Sequence, residues 1–255
     1  MSYGLAIFLL YTFVFLFGAV IASFLNVVIY RLPRSISVAA GRSFCPQCGH
    51  VLRPYDMLPV LSWFILKGKC RFCGQPIAKR YPLVEFLGGI IAVAAFGVWG
   101  FTLYAVAVAG IGLVCLALAF IDWDTMTVPN SLLAALMVIG IFAALVNEEF
   151  QWLAALIGLF SVSVPLFLIT LFVPGAFGGG DILFMAVMGF ILGWRLTLVG
   201  AFLGIVLGGA YGVYLLCRSA DNRKKHFPFL PFLATGAYIV LLWGDNLLNW
   251  YLSLF

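Results

Sequence analysis

The 255 residues are 65% hydrophobic and 9% charged, with a mean hydropathy of +1.16. Soluble domains carry roughly 25% charged residues, so a soluble globular protein is excluded and an all-α polytopic membrane protein is the expected class. The net charge of +5 speaks for topology and contact with membrane lipids, and against nucleic acid as a partner, because the basic residues cluster in two places that follow apolar spans.

The first apolar run, about residues 5–30, is uncharged and is preceded by Met-Ser-Tyr-Gly. It has neither the basic start nor the small-residue cleavage site of a secretory signal, so a retained transmembrane helix is expected, with Asn26 in an interhelical hydrogen bond. Residues 31–82 form the one sizeable polar segment. They hold nine Lys and Arg against the single acid Asp56, which places the segment in the cytoplasm. Within it lie Cys45-Pro46-Gln47-Cys48 and Cys70-Arg71-Phe72-Cys73. Paired C-x-x-C knuckles offer two sulfurs each to one tetrahedron, so Cys45, Cys48, Cys70 and Cys73 are expected to hold a structural zinc. Two disulfides are the competing pattern, which a reducing cytosol disfavours. A loop with so few apolar side chains needs such a staple to keep a shape. Cys115 and Cys217 stand alone in apolar runs and read as packing residues.

Beyond the loop the pattern predicts helices over about 83–99, 101–121, 131–146, 152–173, 181–194, 196–217 and 229–251. The chain then divides into a first transmembrane helix (1–30), a zinc-binding loop domain (31–82) and a seven-helix membrane domain (83–255). Eight spans put thirteen of the fourteen Lys and Arg on one side, leaving Arg195 on the other. The sixth span is short, about 21 Å against a hydrocarbon core near 30 Å, so the bilayer thins there or the helix stops early. Gly200, Gly204, Gly208 and Gly212 make a small-residue stripe on the seventh.

Two acids interrupt apolar runs: Ile121-Asp122, and Phe177-Gly178-Gly179-Gly180-Asp181. Carboxylates at membrane depth are functional candidates, and this topology brings both turns to the same side. A pair of carboxyls sharing one proton is what aspartic peptide hydrolysis needs, one activating water and the other donating to the carbonyl oxygen. Gly178, Gly179 and Gly180 would let a substrate backbone lie beside Asp181. Asp181 opens a helix and Asp122 closes one, which casts Asp181 as the ionised member and Asp122 as the holder of the proton. Glu85 reads either as the partner of a boundary Lys or Arg or as a substrate-binding acid. Asp124, about 200° around the helix from Asp122, reads as a solvated acid or a binder of positive substrate charge. Rival classes are an ion- or proton-coupled carrier using Asp122 and Asp181, for which internal repeats are lacking, and a non-enzymatic assembly protein.

Several stretches together carry a resemblance: residues 18–33 (GAVIASFLNVVIYRLP), the two cysteine pairs, Arg80-Tyr81-Pro82-Leu83-Val84-Glu85, Ile121-Asp122, Gly178-Gly179-Gly180-Asp181 and Pro228-Phe229-Leu230-Pro231-Phe232. In order and spacing the chain resembles the bacterial type IV prepilin peptidases, nearly end to end. The resemblance implies a GxGD-type aspartic peptidase of the inner membrane, with Asp122 and Asp181 catalytic. It would remove the basic leader of prepilins and pseudopilins at the cytoplasmic face. It also implies that the new N-terminal residue, usually Phe, is methylated by S-adenosylmethionine. The acids Asp122, Asp124, Asp181 and Glu85 would then draw the basic leader to the mouth of the spans. Two departures stand out. Pro129-Asn130 replaces the family's Pro-Asp, which leaves Asn130 the role of a helix cap. No glycine-rich nucleotide fingerprint follows a strand.

Overall fold

Long apolar runs leave the backbone little choice: with no water to bond, its N–H and C=O groups must pair within the segment, and helices result. The computed structural model describes residues 3–39, 41–45, 47–218 and 227–253, and among them only helices, turns and two isolated β-bridges occur. The chain divides into two compact units, Met1–Gly97 and Val98–Phe255.

In the first unit, helix α1 (Tyr3–Arg31) is followed by the Cys-rich loop, which carries the short helix α2 (Leu61–Ile65), and by α3 (Arg80–Trp99). Helices α1 and α3 meet where Gly18 faces Gly88 and Ala92. The absence of a side chain at Gly18 is what lets the helices approach. Asn26 Nδ2 donates to the Tyr81 carbonyl at 3.2 Å, the expected bond between helices. At the end of α1 the buried Arg31 guanidinium donates to the carbonyls of Ser37 (3.1 Å) and Arg42 (3.3 Å), tying the start of the loop to the helix. Phe8, Phe13 and Phe17 point outward and stay exposed, as a lipid-facing surface requires.

The second unit holds α4 (Leu103–Thr125), α5 (Asn130–Val146), α6 (Trp152–Ser161), α7 (Ser163–Phe172), α8 (Gly179–Arg218) and α9 (Leu230–Leu252). Thr102 starts α4 by accepting the Ala105 N–H on its hydroxyl at 3.1 Å. Helices α6 and α7 make one apolar stretch of 21 residues, interrupted at Val162. Pro165 falls in the first turn of α7, where a missing N–H costs no intrahelical bond.

Helix α8 is 40 residues long, roughly 60 Å at 1.5 Å per residue and twice a bilayer core. It does not run straight, because Gly193 (φ 72°, ψ 164°) breaks it. Contacts on either side show the chain turning back. Ahead of the break, Gly189 meets Gly158 backbone to backbone and Gly193 lies against Ala154. Past it, Leu196 reaches Gly244, then Gly200 faces Ala237, Gly204 faces Leu233 and Gly208 faces Phe229. The stripe Gly200, Gly204, Gly208 therefore seats α9, antiparallel to the second half of α8. The pattern predicted a break at Arg195. It occurs two residues earlier because only glycine tolerates that backbone.

Among the described residues six helices are long and apolar enough to cross a membrane, and α5, with 17 residues, is a shorter seventh. The turn at Gly193 supplies the eighth crossing. Most of the expected basic turn from Arg218 to His226 lies outside the described residues. Gly193→Ala forces a Cβ into a region that non-glycine residues avoid, at a cost of about 1–3 kcal/mol. A lower thermal midpoint in detergent is expected, and an unchanged midpoint would contradict the role given to this turn.

Candidate active site

Asp122 lies in the last turn of α4, whose end is fixed by Met126 in the left-handed conformation (φ 51°, ψ 35°), its N–H donating to the Asp122 carbonyl. The side chain of Asp122 is buried and its Oδ2 accepts the N–H of Leu230, the first residue of α9, at 3.2 Å. Two residues on, Asp124 is exposed, as the helical twist requires. Asp181 is the third residue of α8, also buried, and its Oδ2 reaches back to the Gly178 N–H at 3.3 Å. This is half of a capping box, which satisfies a donor that the helix itself leaves unpaired. Asp122 and Asp181 are close enough to interact electrostatically.

The segment between α4 and α5 closes the site from one side. Val128 packs against the α-carbon of Gly180, so a Cβ at 180 would collide with its side chain. The three glycines thus have different surroundings. Gly180 makes room for Val128, Gly178 faces its own Asp181, and Gly179 is open. Phe177 contacts Phe229 (5.9 Å between ring centroids), and Trp123, Tyr211, Phe227 and Phe232 form an aromatic cluster that fastens the same ends of α4, α8 and α9.

In the first unit the four sulfurs of Cys45, Cys48, Cys70 and Cys73 lie within 4.8 Å of one another, all unbridged. Cys45 Sγ and Cys73 Sγ are 3.9 Å apart. A tetrahedron of Zn–S bonds near 2.3 Å has edges of about 3.8 Å, so the cluster matches the ion's shell. Both knuckles are built alike. Cys45 N–H donates to His50 O and Gly49 N–H to Cys45 O; Cys70 N–H donates to Gln75 O and Gly74 N–H to Cys70 O. Gly49 and Gly74 share φ 69°. Backbone N–H groups of Cys73 and Phe72 directed at its sulfur, opposed by burial, bring the Cys70 thiol down to about 7. Cys73 is pushed up to about 11 although the Gln75 N–H favours its thiolate, because burial and the thiols around it oppose another negative charge. A divalent cation among the sulfurs removes that opposition.

A profile of the bacterial peptidase A24 N-terminal domain matches residues 16–99, and the type IV leader peptidase family matches residues 109–213. A prepilin leader peptidase/N-methyltransferase of Aeromonas hydrophila is 33% identical, with 97% of this chain and 95% of the relative aligned. Proteins with the same name are 32% identical in Bacillus subtilis (94% of this chain, 97% of the relative) and 32% identical in Pseudomonas aeruginosa (93% and 92%). The chain belongs to the type IV leader peptidase family. No solved structure matches it.

Against that family the remaining candidates can be placed. Glu85 is buried in the first unit, and its Oε2 accepts the Val60 N–H at 2.7 Å. Asn130 does not cap α5. Pro129 takes the boundary position and no side chain bonds there, because the proline's extended backbone (φ −67°, ψ 122°) already sets the helix entry. Sequence reasoning missed Val128, Leu230 and the pair Gly49 and Gly74. The last was detectable, since C-x-x-C-G occurs twice; an N–H of Leu230 reaching Asp122 from 108 residues away carries no local signal. Gly180→Ala is expected to cost about 1–3 kcal/mol by overpacking Val128 and to lower prepilin cleavage, with Val128→Ala restoring both. Failure of the double variant to recover would mean that glycine serves something other than Val128.

Proposed function

We propose that the protein is an aspartic endopeptidase of the inner membrane that cuts the basic leader from type IV prepilins or pseudopilins at the cytoplasmic face, then methylates the new N-terminus. The observation that carries the reading is that Asp122, at the end of one helix, and Asp181, at the start of another, are buried within electrostatic range of each other in the second unit. One ionised carboxyl takes a proton from water, which attacks the scissile carbonyl carbon. The protonated partner gives its proton to the carbonyl oxygen. Collapse of the tetrahedral intermediate breaks the C–N bond, and the leaving amine takes a proton from the dyad. The N–H groups of Leu230 and Gly178 hold the two carboxyls in place throughout.

Gly178 and Gly179 are exposed, so the backbone beside Asp181 is open to an extended peptide. The exposed Asp124 is assigned to binding the basic leader and the basic loop to anionic lipid headgroups, while Glu85, buried against the Val60 N–H, is left a role within the first unit. Cys45, Cys48, Cys70 and Cys73 would hold one zinc, whose closed four-sulfur shell stabilises the loop and takes no part in hydrolysis. S-adenosylmethionine, when bound, would supply an electrophilic methyl to the unprotonated new N-terminal amine and leave as S-adenosylhomocysteine, the amine's extra proton going to solvent. Mass spectrometry of a candidate prepilin co-expressed with this protein tests both steps. Loss of the leader with an added 14 Da (about one CH2) is expected; an uncut prepilin would overturn the proposal.

A further inference from the structure

The short helix α2 has two unlike faces. Ser62, Trp63 and Leu66 face inward and line a cavity of the first unit that Asn26 also borders. Trp63 is fixed there: its Nε1 donates to the Ile77 carbonyl at 3.2 Å, and its ring packs on Gly68, where a Cβ would collide with it. The other face carries Leu61, Phe64 and Ile65, at the i, i+3, i+4 spacing that puts side chains on one side of a helix. These three are 55%, 64% and 68% exposed, and Leu58, whose carbonyl accepts the Ser62 N–H, is exposed as well. So many large apolar side chains outward within eight residues mark a surface made to meet something apolar.

The fold fixes where this face sits. Val60, the residue ahead of α2, has a backbone conformation that β-branched residues avoid (φ 62°, ψ −51°), and its N–H is held by the Glu85 carboxyl at 2.7 Å. Glu85 is the sixth residue of α3, about 7.5 Å inside the start of a helix long and apolar enough to span a bilayer. Side chains on a helix lean toward its N-terminus, so the bond ties α2 level with the first turns of α3, where headgroups meet hydrocarbon. Lys67 and Gly68, both left-handed (φ 51° and 69°), then turn the chain away. Lys67 and Lys69, just past α2, and Lys79, just ahead of α3, are exposed. An apolar helix face with basic residues beside it is complementary to the boundary of an anionic leaflet.

We infer that α2 is an interfacial anchor: Leu61, Phe64 and Ile65 enter the leaflet beside the loop, Lys67 and Lys69 meet its anionic headgroups, and the bilayer completes the packing that the loop lacks. Zinc-loaded full-length protein in vesicles of phosphatidylethanolamine and phosphatidylglycerol tests it, with photoreactive p-benzoylphenylalanine in place of Phe64, and in place of the outward-facing Phe8 as reference. After ultraviolet irradiation, mass spectrometry should find a lipid adduct at position 64 comparable with that at position 8. No lipid adduct at 64 while position 8 gives one, or an adduct with residues 98–255 or with a second chain instead, would overturn the anchor. The double variant Phe64→Gln, Ile65→Gln should keep its zinc and be cut by trypsin at Lys67 and Lys69 about tenfold faster in the same vesicles, the effect of losing the transfer of one large apolar side chain. A native rate of cutting would also overturn the anchor. Should the double variant lose zinc, the adduct at position 64 decides alone.

Discussion

Replacing Asp122 or Asp181 by Asn is expected to lower prepilin cleavage by about 10²–10⁴-fold, the usual worth of a positioned acid or base. Each carboxyl must exchange a proton during the cycle, and an amide cannot. Sequence alone suggested unequal losses, because Asp181 opens α8 at the positive end of a helix dipole while Asp122 closes α4 at a negative one. The folded chain evens this out. Asp122 accepts the N–H of Leu230 at the start of α9, so each acid faces a helix N-terminus. Comparable losses in both variants are therefore expected, measured with a synthetic prepilin peptide and purified protein in lipid vesicles. Thermal midpoints should stay close to native, since Asn keeps a carbonyl oxygen for each of those N–H groups. Full activity in either variant would remove the aspartic mechanism. Residual cleavage confined to Asp122→Asn would restore the unequal roles.

Removal of the metal should have the second large effect, confined to the loop's own order. Around the knuckles the loop has little apolar burial: Phe44, Val51, Tyr55, Phe64 and Phe72 are all exposed, and Arg71 Nε pairs with Asp56 Oδ1 at 2.8 Å on its surface. Structural zinc is worth about 10–16 kcal/mol of apparent binding energy in small knuckle domains, more than a loop of this kind gains from packing. Cys45→Ser or Cys70→Ser should abolish stoichiometric zinc and make residues 41–79 a target for limited proteolysis. Cys115→Ser, in α4 of the second unit and not among the four clustered sulfurs, should leave zinc content unchanged. A native loop without zinc, or a disulfide between any two of the four cysteines under reducing conditions, would contradict the assignment.

The unequal-roles expectation shows where local reading stops. What the sequence determined by itself was whatever a short segment must settle with its own surroundings. Runs such as 103–121 had to be helices because hydrocarbon leaves backbone groups no other partner. The cysteine spacing fixed a four-sulfur cluster, since a C-x-x-C turn presents both sulfurs to one side whatever the rest of the chain does. Asp122 and Asp181 stood out because charge in an apolar run is too costly to be incidental. The tertiary structure decided which helix ends meet. That Leu230 donates to Asp122, that Val128 fills the space over Gly180, that Asn26 keeps an unpaired oxygen inside a cavity, and that α8 turns at Gly193 ahead of Arg195 all depend on how helices seat on one another. Packing joins residues far apart in sequence through shape and hydrogen-bond geometry, and neither is written in hydropathy or spacing.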